Sequence, residues 1–156
     1  TGPARAHTLF APAVPGDILI LELGASLPQV HISDGMFLAS GPDVTLGHES
    51  QGIGKALFGK GGFFLMNAKG TGPVALNSFG TIHKITLAEG ESYVVDNSHL
   101  IAWTCAYNLK KAAKGLMSTL KTGEGIVCHC TGPGIVWMAT RELDGFAREV
   151  AKHIQQ

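Results

Sequence analysis

The tripeptide Thr-Gly-Pro occurs three times, at Thr1-Gly2-Pro3, Thr71-Gly72-Pro73 and Thr131-Gly132-Pro133, each time followed by small or apolar residues. A Gly-Pro step turns the chain and cannot sit inside a helix. A sequence that returns to it is therefore held to short segments joined by turns. Recurrence of this kind marks one β-rich unit used several times.

Aligning the second and third copies on their glycines extends the likeness. Gly59-Lys60-Gly61-Gly62-Phe63-Phe64-Leu65 leads to Thr71-Gly72-Pro73-Val74-Ala75-Leu76, and Gly123-Glu124-Gly125-Ile126-Val127-Cys128 leads to Thr131-Gly132-Pro133-Gly134-Ile135-Val136-Trp137. Each reads as a Gly-led turn, a short strand, a Gly-Pro turn and a second strand, the pattern of a hairpin. A further match runs from Val30–Ala39 to Tyr93–Ala102, both strand, polar turn, strand. The reading is an all-β chain, a β-sandwich of repeated short-strand meanders in a single domain over 1–156. Its units run about 1–65 and 71–127, with a third begun at 131–140.

One segment has helical spacing. Over 141–155, Leu143, Phe146, Val150 and Ile154 fall on one helical face with Ala147 and Ala151 beside them, and Thr140 is placed as the N-cap. An amphipathic C-terminal helix follows, its apolar face turned to the sheets or to a neighbouring subunit. The run Leu109–Met117 reads as a short helix or a turn with a basic edge.

Composition narrows the function. Twelve basic and twelve acidic residues leave no formal net charge, and 21 glycines suit tight turns better than a bundle. A neutral chain lacks the basic footprint that counterion release on nucleic acid requires. Three cysteines, Cys105, Cys128 and Cys130, fit a reducing compartment better than a disulfide framework. No apolar run reaches the length of a transmembrane helix, and no signal peptide is visible.

No catalytic constellation emerges. On a strand, Cys128 and Cys130 point one way and His129 the other, and a zinc site would need about four ligands; they read as small buried hydrophobes. The seven histidines show neither His-x-His nor His-Glu-x-x-His spacing. Asp96-Asn97-Ser98-His99 lacks a Gly-x-Ser-x-Gly elbow, and Gly59–Gly62 lacks the Lys-Ser/Thr end of a phosphate loop. No catalytic residue, metal or cofactor is therefore assigned. Lys110, Lys111 and Lys114 form a basic edge, the candidate contact for an anion or RNA. Met36-Phe37, Phe63-Phe64 and Trp137-Met138 put large apolar groups on both faces of their strands, which implies two covered faces and, in this reading, an outer side that meets another subunit.

Together, Pro15-Gly16-Asp17-Ile18, Gly59-x-Gly61-Gly62-Phe63-Phe64-Leu65, Val94-Val95-Asp96-Asn97-Ser98-His99-Leu100-Ile101-Ala102-Trp103, Thr122-Gly123-Glu124-Gly125 and Thr131–Trp137 resemble the altered-inheritance-of-mitochondria family, long a domain of unknown function. The resemblance covers about Pro15 to Arg141. It implies a repeat-built β-sandwich similar to the subunit of the trp RNA-binding attenuation protein, a tendency to homotrimers or other oligomers, and mitochondrial association in eukaryotes. Members are usually longer at the N-terminus, so part of a first repeat is expected to be missing here.

The expectation is a non-enzymatic structural or assembly protein, acting as a homo-oligomer (a trimer favoured) or as a subunit of a larger complex. Leu143, Phe146, Val150 and Ile154 are its interface, with peripheral membrane association as a further option. Mitochondrial placement follows from the resemblance, with the cytoplasm as alternative. The competing class is an RNA- or small-ligand-binding module.

Overall fold

The computed structural model describes residues 7–49, 65–111 and 126–154. Thr1-Gly2-Pro3, the Gly59–Gly62 turn with Phe63 and Phe64, Lys114 and the side chain of Lys111 lie outside the described residues. Twelve strands and a helix follow in order: β1 (Ile18–Leu23), β2 (Gln29–Ser33), β3 (Phe37–Ser40), β4 (Val44–Glu49), β5 (Leu65–Gly70), β6 (Gly72–Asn77), β7 (Ile82–Leu87), β8 (Ser92–Asp96), β9 (Leu100–Trp103), β10 (Ala106–Lys111), β11 (Ile126–Thr131), β12 (Gly134–Ala139) and α1 (Leu143–Ile154). The protein is all-β with a C-terminal helix. Every ladder between these strands is antiparallel.

Three sheets form: β1-β6-β3, β10-β11-β8, and a six-stranded sheet β4-β5-β2-β9-β12-β7. This order overturns the hairpin reading at Thr-Gly-Pro. β5 pairs with β4 and β2, whereas β6 pairs with β1 and β3, so Gly70-Thr71-Gly72 is a corner between two sheets. Gly132-Pro133-Gly134 does the same between β11 and β12. A single residue between β5 and β6 is too short for a hairpin loop. Gly70, at φ +124°, also lies where an added Cβ would come within 2.3 Å of the Asp43 carbonyl oxygen. β2 and β3 likewise enter different sheets, as do β8 and β9. The pairs that do fold back on themselves are β4–β5 and β10–β11. Apart from those two pairs, sequential strands change sheet or position instead of forming a meander.

The pairing also redraws the units. Residues 18–77 pair as β1-β6-β3 and β4-β5-β2, and residues 82–139 as β7-β12-β9 and β10-β11-β8, the same order shifted by six strands. Register agrees in detail. Phe37↔Leu76, Ala39↔Ala75 and Ser40↔Val74 reappear as Leu100↔Met138, Ala102↔Trp137 and Trp103↔Val136, with an irregularity at the same step in both. Thr71-Gly72-Pro73 and Thr131-Gly132-Pro133 therefore lie within or beside the fifth-to-sixth strand corner of each unit, not at the openings at 71 and 131 that the tripeptide suggests.

The units join where β2 pairs with β9, His31 opposite Trp103 and Ile32 opposite Ala102. Opposed residues share a face, so the central sheet carries two cores. Val30, Ile32, Ala68, Ala102 and Trp137 face one, closed by Leu21, Leu23, Val74 and Leu76 from β1 and β6. Leu65, Leu100, Trp103 and Val136 face the other, closed by Val95, Cys128 and Cys130 from β8 and β11. β9 is buried along its whole length for this reason. The large apolar groups at Trp137-Met138 and Met36-Phe37 thus pack within one chain, Trp137, Met36 and Phe37 on the first core and Met138 on the second. A second subunit is not needed to cover them.

Candidate functional site

The helix α1 hangs from the end of β12. Glu142, not Thr140, caps it: its carboxylate accepts from the Asp144 N–H at 2.8 Å and from the Gly145 N–H, and it meets Arg148 at 3.8 Å. Thr140 is occupied elsewhere, its hydroxyl oxygen accepting from the Thr81 N–H at 3.0 Å. The sequence favours Thr at a cap by residue type; the chain needs Thr140 to continue the β7–β12 ladder instead.

Leu143, Phe146, Val150 and Ile154 share one stripe of α1, as their spacing requires, and all are exposed, from 38% at Val150 to 76% at Ile154. No residue of the helix is buried. One ring contact ties the stripe to the sheets, Phe146 tilted against Phe79 with centroids 5.3 Å apart. Under the first turn lies a cavity of about 360 Å³, walled by Val14, Met36, Phe79, Ala139 and Leu143, with Asn77, Ser98 and Arg141 among its polar lining. A shallower hollow beside it is lined by Phe79, His99, Arg141 and Phe146. Arg141 and Phe79 give no sequence signal of a shared site; only the corner after β6 and the end of β12 bring them together.

The turn Asp96–His99 also borders these hollows. Asp96 accepts from the Ser98 N–H at 2.9 Å and the Ser98 hydroxyl at 2.7 Å, and His99 Nδ1 donates to the Ala139 carbonyl at 2.8 Å. Ser98 therefore bonds to the carboxylate and not to the imidazole. The arrangement closes a turn and pins it to β12; it is not the hydroxyl-to-imidazole relay that activates a serine.

The three thiols converge inside the second core. Cys128 and Cys130 lie on one face of β11 with sulfurs 3.7 Å apart, and Cys105, from the β9–β10 turn, shares a hydrogen bond with Cys130. That bond, then burial, raises Cys105 well above the ordinary thiol range. For Cys130 the bond with Cys105 lowers the pKa, but the bond with Cys128 and burial outweigh it and push the thiol up to about 12. Cys105 and Cys130 are thus protonated core groups, not nucleophiles. Among the described residues no group of three or more His, Cys, Asp or Glu is placed to hold a metal ion. Lys110 is exposed on β10 opposite Val127; its proposed companions, the Lys111 side chain and Lys114, fall outside the described residues. No helix among the described residues is long and apolar enough to cross a membrane.

The seam between the units holds an aromatic set that spacing did not reveal. His31 stacks on Trp103 at 5.5 Å and 19°, and Tyr107 meets both rings at about 5 Å. The match of Val30–Ala39 to Tyr93–Ala102 was the available signal, since it relates β2 and β3 to β8 and β9.

A family model described as Mitochondrial biogenesis AIM24 matches residues 1–141. The chain belongs to the AIM24 family. An uncharacterised protein of Streptococcus pyogenes serotype M6 is 39% identical over 148 residues, which are 93% of this chain and 58% of that protein. The crystal structure of a Streptococcus pyogenes protein is similar at a TM-score of 0.73 and 36% identity, covering 92% of this chain and 62% of that one. The chain thus spans less than two thirds of the length of these relatives. The family match ends at 141 and leaves α1 outside it.

Proposed function

We propose that this AIM24-family chain is a non-enzymatic assembly protein, acting by self-association or as a subunit of a larger complex. The observation that carries this reading is α1: twelve residues, none buried, with an exposed apolar stripe of Leu143, Phe146, Val150 and Ile154 that meets the sheets at the Phe146–Phe79 ring contact. A helix of this length is marginal alone in water and gains its stability by burying such a face. The opposite face is charged, with Glu149 and Lys152 paired at 2.6 Å, so the stripe is the side offered to a partner.

The family description suggests mitochondrial association, and the relatives from Streptococcus pyogenes fit a cytoplasmic setting equally; an assembly role suits both. The test is affinity purification of the tagged chain from its own cells, with quantitative mass spectrometry, beside Phe146→Ser/Val150→Ser. Stoichiometric partners, copies of itself included, that disappear with the double variant support the reading. An unchanged set, or none with either chain, overturns it.

A further inference from the structure

The cavity beneath the first turn of α1 has the size and lining of a small-molecule site. It holds about 360 Å³, and Val14, Met36, Phe79, Ala139 and Leu143 make its walls apolar. Small-ligand sites are commonly of roughly 300–1,000 Å³, apolar, with a few polar groups that fix orientation. The lining is drawn from separate stretches of chain between Ala13 and Asp144, which the layering brings together.

The polar groups decide what such a cavity takes. The Asn77 amide nitrogen donates to the Gly35 carbonyl at 3.3 Å and to the Met36 carbonyl at 3.0 Å. The Ser98 hydroxyl donates to the Asp96 carboxylate at 2.7 Å. Carbonyl and carboxylate oxygens only accept, so the protons in these bonds belong to Asn77 and Ser98. What the two side chains have left for a ligand is oxygen lone pairs. The ionised lining agrees: Arg141 is one cation against the carboxylates of Glu142 and Asp144, a net negative charge. Glu142 is spent on the Asp144 and Gly145 N–H groups and meets Arg148. The Asp144 carboxylate enters no hydrogen bond or ion pair among the described residues.

We propose that this cavity binds a small primary amine with an apolar body, the ammonium on Asp144, Asn77 and Ser98 and the body against Val14, Met36 and Phe79. An ammonium carries three donors and accepts nothing, the complement of three acceptors. A carboxylate of the same shape meets lone pairs and two like charges, with Arg141 alone to hold it. Leu143 and Asp144 belong to α1, so the occupant ties the helix to the sheets beside the Phe146–Phe79 contact. The site is lined by one chain, and its test is independent of the assembly reading.

The test titrates the full chain with 2-phenylethylamine, 2-phenylethanol and phenylacetate, one carbon skeleton with a cationic, a neutral and an anionic end, by calorimetry and heteronuclear NMR. Charge-assisted hydrogen bonds are about twice as strong as neutral ones, so the amine should bind roughly 10-fold more tightly than the alcohol, and phenylacetate more weakly than either. Shifts should map to Val14, Met36 and Phe79, and hydrogen exchange over 143–154 should slow with the amine bound. Asp144→Asn should cut amine affinity roughly 10-fold and leave the alcohol unchanged. Val14→Phe, which fills the cavity, should abolish binding of both. Asp144 is exposed, so its variant decides the matter where circular dichroism shows that Val14→Phe disturbs the fold. Equal affinity for amine and alcohol, tighter binding of phenylacetate, amine binding untouched by Asp144→Asn, or no amine binding by the wild type each overturns the proposal.

Discussion

Trp103 offers the sharpest energetic test of the seam. Its side chain is fully buried, stacked on His31 and in edge contact with Tyr107 at 5.0 Å, yet its indole N–H has no hydrogen-bond partner among the described residues. Burying an aromatic side chain of this class removes roughly 150–250 Å² from water, worth about 4–6 kcal/mol at ~25 cal/mol per Å² as an upper figure. That agrees with about 3–5 kcal/mol for truncation to alanine. Trp103→Ala should therefore cost about 4 kcal/mol, a large part of the roughly 5–15 kcal/mol that holds a domain together. Trp103→Phe should behave differently. It leaves a void of roughly 40 Å³, costing about 1 kcal/mol, but removes a buried donor whose desolvation costs about 1–3 kcal/mol. The two nearly cancel, and the phenylalanine variant should lie within about 1 kcal/mol of wild type. Urea titrations followed by far-ultraviolet circular dichroism read both values. A Trp103→Phe loss as large as that of Trp103→Ala would refute the reasoning, because it would mean the indole N–H is engaged.

Other consequences follow from particular residues. Gly70→Ala meets both a left-handed φ and the Asp43 carbonyl, so it should lose at least the ~1–3 kcal/mol of a strained backbone position, whereas Gly24→Ala, with open space around its Cβ, should be tolerated; thermal midpoints compare them. Raised thiol pKa values mean that the folded chain holds protons the unfolded chain releases. Stability from Cys105 and Cys130 is thus complete below about pH 9 and declines as pH climbs towards 12. Urea midpoints at pH 8 and pH 10.5 should show that decline, and it should shrink in Cys105→Ala/Cys130→Ala. Glu142→Ala removes the cap of α1 and should cost about 0.5–2 kcal/mol of helix stability. Because no residue of α1 is buried, hydrogen exchange should quicken over 143–154 while β9 and β12 keep their protection.

Alternating and apolar runs made the strands legible. Tyr93–Val95 and Ile135–Trp137 read as β from sequence, and the spacing of Leu143, Phe146, Val150 and Ile154 gives α1. Partner choice was not legible. A Gly-Pro signal says that the chain turns, but whether the next strand rejoins the same sheet depends on which face it must bury, and Val74 and Leu76 bury theirs against β2 and β5 from the opposite layer. The same gap misplaced the units, since aligning Thr-Gly-Pro shifts 60 residues whereas the ladders shift β5 and β6 by 62. Apolar groups on both faces of one strand imply two covered faces, but sequence alone does not show that the chain itself covers both sides of its central sheet. The cavity beneath α1 was invisible for a related reason: Val14, Phe79 and Arg141 are brought together only by the layering.

The measurement that bears most directly on self-association is the native mass of the purified chain across a dilution series, by sedimentation equilibrium with light scattering. Self-association predicts multiples of the single-chain mass that dissociate on dilution. A mass that stays at one chain throughout would contradict it and leave the assembly role to partners other than a second copy.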